Sequence, residues 1–145
     1  MISSFADLST IDLYRILKLR CDVFVVEQHC PYPELDGRDT EPETLHLWLE
    51  APDGSIAAYL RVLAEPDGSA RIGRVVTAPA ARGQGLAGKL LAAALDQIGP
   101  GRAAVLDAQT VATGLYSRFG FTVTGPAYDD DGIEHVPMLR PSAAA

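Results

Sequence analysis

Leu13, Ile16, Leu17 and Phe24 recur near one face at helical spacing, so the chain predicts an early amphipathic helix. Ser9 or Thr10 is its cap, Asp12 suits its first turn, and it runs to about Arg20 or beyond. Val23, Phe24, Val25 and Val26 fit either helix or strand. Residues 1–6 read as a short edge strand. From residue 44 the pattern changes to alternation. Segments 44–50, 55–63 and 70–78, divided by the turn pairs Asp53-Gly54 and Asp67-Gly68, predict an antiparallel meander. Leu and Ala then repeat at helical spacing over 86–98, and Pro100-Gly101 stops that helix. Segment 103–109 is a buried strand by its apolar run. Because it follows a strand and a helix, it must lie parallel to the strand holding Ile72, through a right-handed crossover. A short second helix over 111–119 ends at Gly120. A last pair of strands, 121–124 and 133–139, turns at Asp131-Gly132, and 141–145 is a frayed tail. The fold class is α+β, a mixed and mostly antiparallel sheet with flanking helices, in one domain spanning residues 1–145.

Between the first helix and the meander, residues 27–43 hold three prolines, one glycine and a run of carboxylates. Glu27, Glu34, Asp36, Asp39, Glu41 and Glu43 make it acidic, relieved only by Arg38. It reads as an ordered loop able to line a substrate entrance, or as a merely solvated one.

Composition narrows the function. An apolar fraction of 48% with 21% charged residues is that of a soluble globular protein. No stretch approaches the ~20 apolar residues that cross a bilayer, and residues 1–10 lack the features of a secretory signal. Cys21 and Cys30 read as free thiols, which fits a cytoplasmic location; no metal-ligand spacing is present. A net charge of −7 excludes nucleic acid as the expected partner. A polyanionic ligand would need a local basic patch, and Arg71, Arg74, Arg82 and Lys89 cluster in sequence.

That patch surrounds the most informative stretch, Arg82, Gly83, Gln84, Gly85, Leu86 and Ala87, which opens the 86–98 helix. A glycine turn at a helix start offers free backbone N–H groups and the positive end of the helix dipole to a phosphate. Three motifs overlap. Gly83, Gly85 and Gly88 fit a dinucleotide fingerprint, but Pro79 to Arg82 separate it from the strand it should follow. Gly83, Gly88 and Lys89 begin a P-loop, but Leu90 stands where a magnesium-holding hydroxyl belongs. Arg82, Gly85 and Ala87 fit the acetyl-CoA pyrophosphate signature, Arg/Gln-x-x-Gly-x-Gly/Ala.

The meander, the glycine-turn helix, the parallel strand, the short helix with Tyr116, Gly120 and Phe121, and the closing strands together resemble the GNAT superfamily of N-acetyltransferases. The runs from Arg20 to Gln28 and from Cys30 to Asp36, with Asp39 and His46, are similar to the ElaA-type branch. So are Ile72 to Val76 and Asp131 to His135. Gln109 stands where the superfamily often has Asn, as in that branch. The resemblance implies acetyl-CoA as cosubstrate between two splayed parallel strands, no metal, and an amine acceptor. Backbone groups of Val75, Val76 and Thr77 would hold the thioester and pantetheine, and amides from Arg82 to Ala87 the pyrophosphate, with Gln109 and Tyr116 beside them. Members are often dimers, which leaves a homodimer open.

Acetyl transfer to an amine makes three demands. Only roughly one Lys-like amine in a thousand is neutral at pH 7, a deficit of about 4 kcal/mol that a base or desolvation must meet. The developing oxyanion needs a donor, typically worth about 2.7–4 kcal/mol, and a backbone N–H near Val76 is the candidate. The leaving thiolate needs a proton, for which Tyr116 is the candidate. Glu27, Glu34, Asp36 or His46, directly or through water, is the base. His46 and His135 also fit purely structural roles, and Arg74, interrupting an apolar strand, fits either a buried ion pair with a loop carboxylate or an outward-facing strand residue. The acidic loop favours a cationic acceptor. A non-catalytic acyl-CoA-binding module is the alternative. An acyl-homoserine-lactone synthase, resembled at Arg20 to Phe24, would need a longer chain.

Overall fold

The computed structural model describes residues 1–29, 33–130 and 132–143; Cys30, Pro31, Tyr32, Asp131, Ala144 and Ala145, with the readings made on them, lie outside the described residues. The chain opens with a two-residue edge strand, β1 (Ile2–Ser3), and then α1 (Thr10–Arg20). Ser9 is the cap: its hydroxyl accepts the Asp12 backbone N–H at 3.1 Å. The ambiguous Val-rich run is neither strand nor ordinary helix. Cys21–Glu27 continues α1 as a wider π-helical stretch, closed by the Gln28 N–H donating to the Val23 carbonyl at 2.9 Å. Val23 and Phe24, adjacent in sequence, are both buried there.

The meander forms as the turn residues imply. It comprises β2 (Leu45–Glu50), β3 (Ile56–Ala64) and β4 (Ala70–Thr77), each antiparallel to the next. Then come α2 (Leu86–Ile98), β5 (Ala104–Gln109) and α3 (Thr113–Ser117). β6 (Thr122–Val123), β7 (Tyr128–Asp130) and β8 (Ile133–Arg140) complete the chain. The eight-stranded sheet runs β1-β2-β3-β4-β5-β8-β6, with β7 also on β8, and β4 and β5 are parallel.

Three expectations at the C-terminal end change. Thr122–Val123 does pair with β8 as expected, but the strand facing β8 across the final turn is the additional β7; Gly125 and Pro126 interrupt the chain, which resumes pairing where Tyr128 stacks on His135. The second helix starts as a 3-10 turn, Thr110–Ala112, so α3 is only five residues long. The described part of the tail is tied down, since the Ala143 N–H donates to the Pro100 carbonyl at 2.7 Å.

Apolar residues pack on both faces of the sheet. Leu90, Leu91, Ala94 and Ile98 of α2 cover one face, with Leu47, Leu60, Leu106 and Tyr116. Ile16 and Leu19 of α1, with Val23 and Phe24, cover the other, against Trp48, Tyr59 and Val76. Each buried leucine contributes about 2 kcal/mol, so this double layer holds the central strands rigidly beneath the site. No helix is long and apolar enough to cross a membrane.

Candidate active site

β4 and β5 pair only at their first residues, Ala70 with Ala104 and Arg71 with Val105. Beyond that point their facing edges separate. The cause lies in β4: between the pairs Tyr59–Val76 and Arg61–Gly73 it carries one residue more than β3. That bulge includes Arg74, whose φ of 52° is left-handed. Such backbone costs a non-glycine residue about 1 kcal/mol, and the bend turns the end of β4 away from β5.

The separation opens a cleft of about 560 Å³ that runs between the faces of the sheet. Val23, Phe24 and Glu27 line it from the α1 side, Gly73 to Thr77 and Gln109 from the strands, and Leu115 and Tyr116 from α3. Tyr116 is 7% exposed and meets Phe121 edge-on at 6.2 Å. Burial pushes its phenol up to about 12, so the proton stays on oxygen at neutral pH.

Arg82, also on the lining, introduces the glycine turn. Gly83 and Gly85 have φ of 82° and 73°, and a Cβ on either would meet no atom within 4 Å. Their requirement for glycine is therefore conformational, and the space above the turn is open. Gly85 is the N-cap of α2 and gives no side-chain hydrogen bond, so the first amides of that helix remain available to an anion.

The sequence matches the domain described as Acetyltransferase (GNAT) domain over residues 18–140. It is 52% identical over 142 residues to the UPF0039 protein Rv2851c of Mycobacterium tuberculosis, covering 94% of this chain and 89% of that one. The chain belongs to the GNAT acetyltransferase family. Two crystal structures are similar over almost their whole length. Escherichia coli ElaA has a TM-score of 0.90 at 34% identity, covering 97% of each chain. An acyl-CoA N-acyltransferase from Pseudomonas aeruginosa has a TM-score of 0.88 at 39% identity, covering 97% of this chain and 98% of that one. The fold is thus the GNAT fold and the resemblance is to the ElaA-type branch.

Around the GNAT cleft the remaining candidates divide into two groups. Glu27 and Gln109 line it. The Arg82 guanidinium forks onto the Glu27 carboxylate, Nη1 to Oε2 and Nη2 to Oε1, both at 2.9 Å, and this hydrogen-bonded pair lowers the Glu27 carboxyl below its ordinary range. Gln109 Nε2 donates to Gln28 Oε1 at 3.4 Å.

Glu34, Asp36 and His46 are not on the lining; they belong to an ion cluster that fastens the acidic loop to α1, β3 and β4. Arg20 Nε meets Glu34 Oε2 at 2.7 Å, and Arg20 Nη1 meets Asp39 Oδ1 at 2.8 Å. Arg61 bridges Asp36 and Asp39, and Arg74 Nε lies 2.9 Å from Glu34 Oε2. Arg61 beside it holds the Asp36 carboxyl well below the usual carboxylate range. His46 is 1% exposed and both ring nitrogens are occupied: the Asp39 carbonyl at 3.0 Å can only accept, so Nε2 carries the proton and Nδ1 accepts from the Tyr59 hydroxyl at 2.6 Å. Burial lowers its pKa.

The expected basic patch is largely balanced. Arg71 pairs with Asp107, Arg74 with Glu34 and Arg82 with Glu27; among the described residues Lys89 has no ion-pair partner. Among the described residues no group of His, Cys, Asp and Glu is arranged to hold a metal. Sequence reasoning missed Asp39 as the hub of the cluster. Its signal was present: Arg20 and Arg61 each interrupt an apolar pattern and needed a buried partner.

Proposed function

We propose that this chain transfers an acetyl group from acetyl-CoA to a primary amine of a small molecule or peptide, by direct attack in a ternary complex. The observation that carries this reading is the cleft between β4 and β5, with a buried, protonated Tyr116 on one wall and Arg82, which introduces the glycine turn, on its lining. Its residues fit the coenzyme. Val76 itself pairs with Tyr59 of β3, so the β5-facing edge of the Val75–Thr77 stretch is what the strand separation leaves for the pantetheine and thioester, and the open turn from Arg82 through Gly83, Gln84, Gly85, Leu86 and Ala87 suits the diphosphate. Bound there, the thioester supplies the activated acyl group.

The chain's own residues then have distinct tasks. A backbone N–H near Val76 faces the oxygen that becomes negative. Tyr116 holds the proton that the departing sulfur needs. Gln109 orients the coenzyme arm from β5. Of the base candidates, Glu27 lines the cleft, so proton removal from the amine falls to Glu27, directly or through a water. Glu34 and His46 serve by holding the acidic loop and β4 in position.

A screen of amines with acetyl-CoA, following free thiol release, tests this, with thermal unfolding measured with and without coenzyme A. Thiol release that depends on the amine, with stabilisation by the coenzyme, is expected. Stabilisation without turnover on any amine would indicate a binding module. Protection by NAD and none by coenzyme A would indicate a dinucleotide site.

A further inference from the structure

The glycine turn and the α1 side of the cleft are joined through the Arg82 side chain. Arg82 extends from the glycine turn, donates Nε–H to the Thr77 carbonyl at 3.3 Å, and spends both terminal nitrogens on Glu27 at 2.9 Å. Glu27 ends the π-helical stretch, 55 residues away in sequence, and both residues line the cleft. Their side chains are 45% and 43% exposed, so water competes with the pair and it is readily exchanged. A guanidinium fork fits phosphate as well as carboxylate, and a diphosphate at the adjoining amides brings more charge than one carboxylate does.

We propose that Arg82 is shared between Glu27 and the coenzyme's diphosphate, so that coenzyme binding frees Glu27 to receive the acceptor's ammonium group at the cleft mouth. The proposal rests on the acyl-CoA reading above. It makes Glu27 a carboxylate that is neutralised by Arg82 until the coenzyme is seated. The Nε contact to Thr77 anchors the arginine while its terminal nitrogens change partner.

Calorimetric titration with coenzyme A of four proteins decides it: wild type, Glu27→Gln, Arg82→Gln and the double variant. Both side chains are about half exposed, so the substitutions leave the fold intact. Removing Glu27 releases Arg82, and Glu27→Gln is expected to bind coenzyme A about three- to fivefold more tightly. In the Arg82→Gln background the same substitution is expected to change nothing, because its effect runs through Arg82. Equal tightening in both backgrounds would mean simple charge repulsion and would overturn the exchange; weaker binding by Glu27→Gln would overturn it too. If wild type fails to bind coenzyme A, the acyl-CoA reading itself falls. For the acceptor half, Glu27→Gln is expected to lower kcat/KM at least about tenfold for the amine giving the fastest thiol release, and an unchanged value would overturn it.

Discussion

Arg74 Nε lies 2.9 Å from Glu34 Oε2, and this contact ties the bulge of β4 to the acidic loop. Glu34 simultaneously meets Arg20, and its side chain is only 4% exposed. Removing its charge leaves two guanidinium groups facing a neutral partner in a largely dry site. Glu34→Gln is therefore expected to destabilise the fold by about 3 kcal/mol, read as a lower urea midpoint with an unchanged slope. A midpoint equal to that of wild type would refute the cluster's structural role.

Tyr116→Phe keeps the ring on Phe121 and removes only the hydroxyl. Turnover is expected to fall by about a hundredfold or more, while coenzyme A affinity stays within about twofold. A matched loss in both would reduce Tyr116 to a packing residue.

Gly85 offers a test of why glycine stands in the turn. Its φ of 73° and the open space around it make the penalty for a side chain purely conformational. Gly85→Ala should cost about 1–2 kcal/mol in thermal unfolding, and Gly85→Asn less, because Asn tolerates left-handed backbone. Equal losses would point instead to a steric limit.

His46 gives the fold a pH dependence whose sign is fixed. Burial holds its folded-state pKa below the ordinary 6.5; Arg20 and Arg61 push the same way, and Asp39 opposes them. Between that lower value and 6.5 the unfolded chain binds a proton that the folded chain refuses. Stability is thus complete above 6.5 and declines as pH falls through this window. The depressed carboxyls of Asp36 and Asp39 add their loss only below 3.8. Urea unfolding at about pH 5.5 and about pH 7.5 should differ in wild type, and the difference should shrink in His46→Gln.

Local chemistry made much of this legible in advance. Asp53-Gly54 and Asp67-Gly68 announced the meander, Ser9 the first helix, and the glycines after Arg82 the start of α2. Arg74, standing in an apolar strand, fitted either an ion pair or an outward-facing position, and it is the ion pair that forms. What stayed hidden depends on contacts distant in sequence. The π-helical geometry of Cys21–Glu27 is not encoded by periodicity, since β-branched residues suit strand and helix alike. Glu27 and Arg82 stand 55 residues apart with the whole meander between them, so no spacing rule links them. Glu34 and Glu27 look equivalent on paper; one ends inside the protein and the other on the cleft wall.

Past Arg71 and Val105 the strands part, and the edges they expose are made of peptide groups. Every residue other than proline carries the same N–H and C=O, so mutation can reshape the walls of this wedge without erasing its gripping lip. On the proposed reading, drift in the acceptor's identity has a free hand with side chains while the grip on the donor is inherited from the path of the backbone.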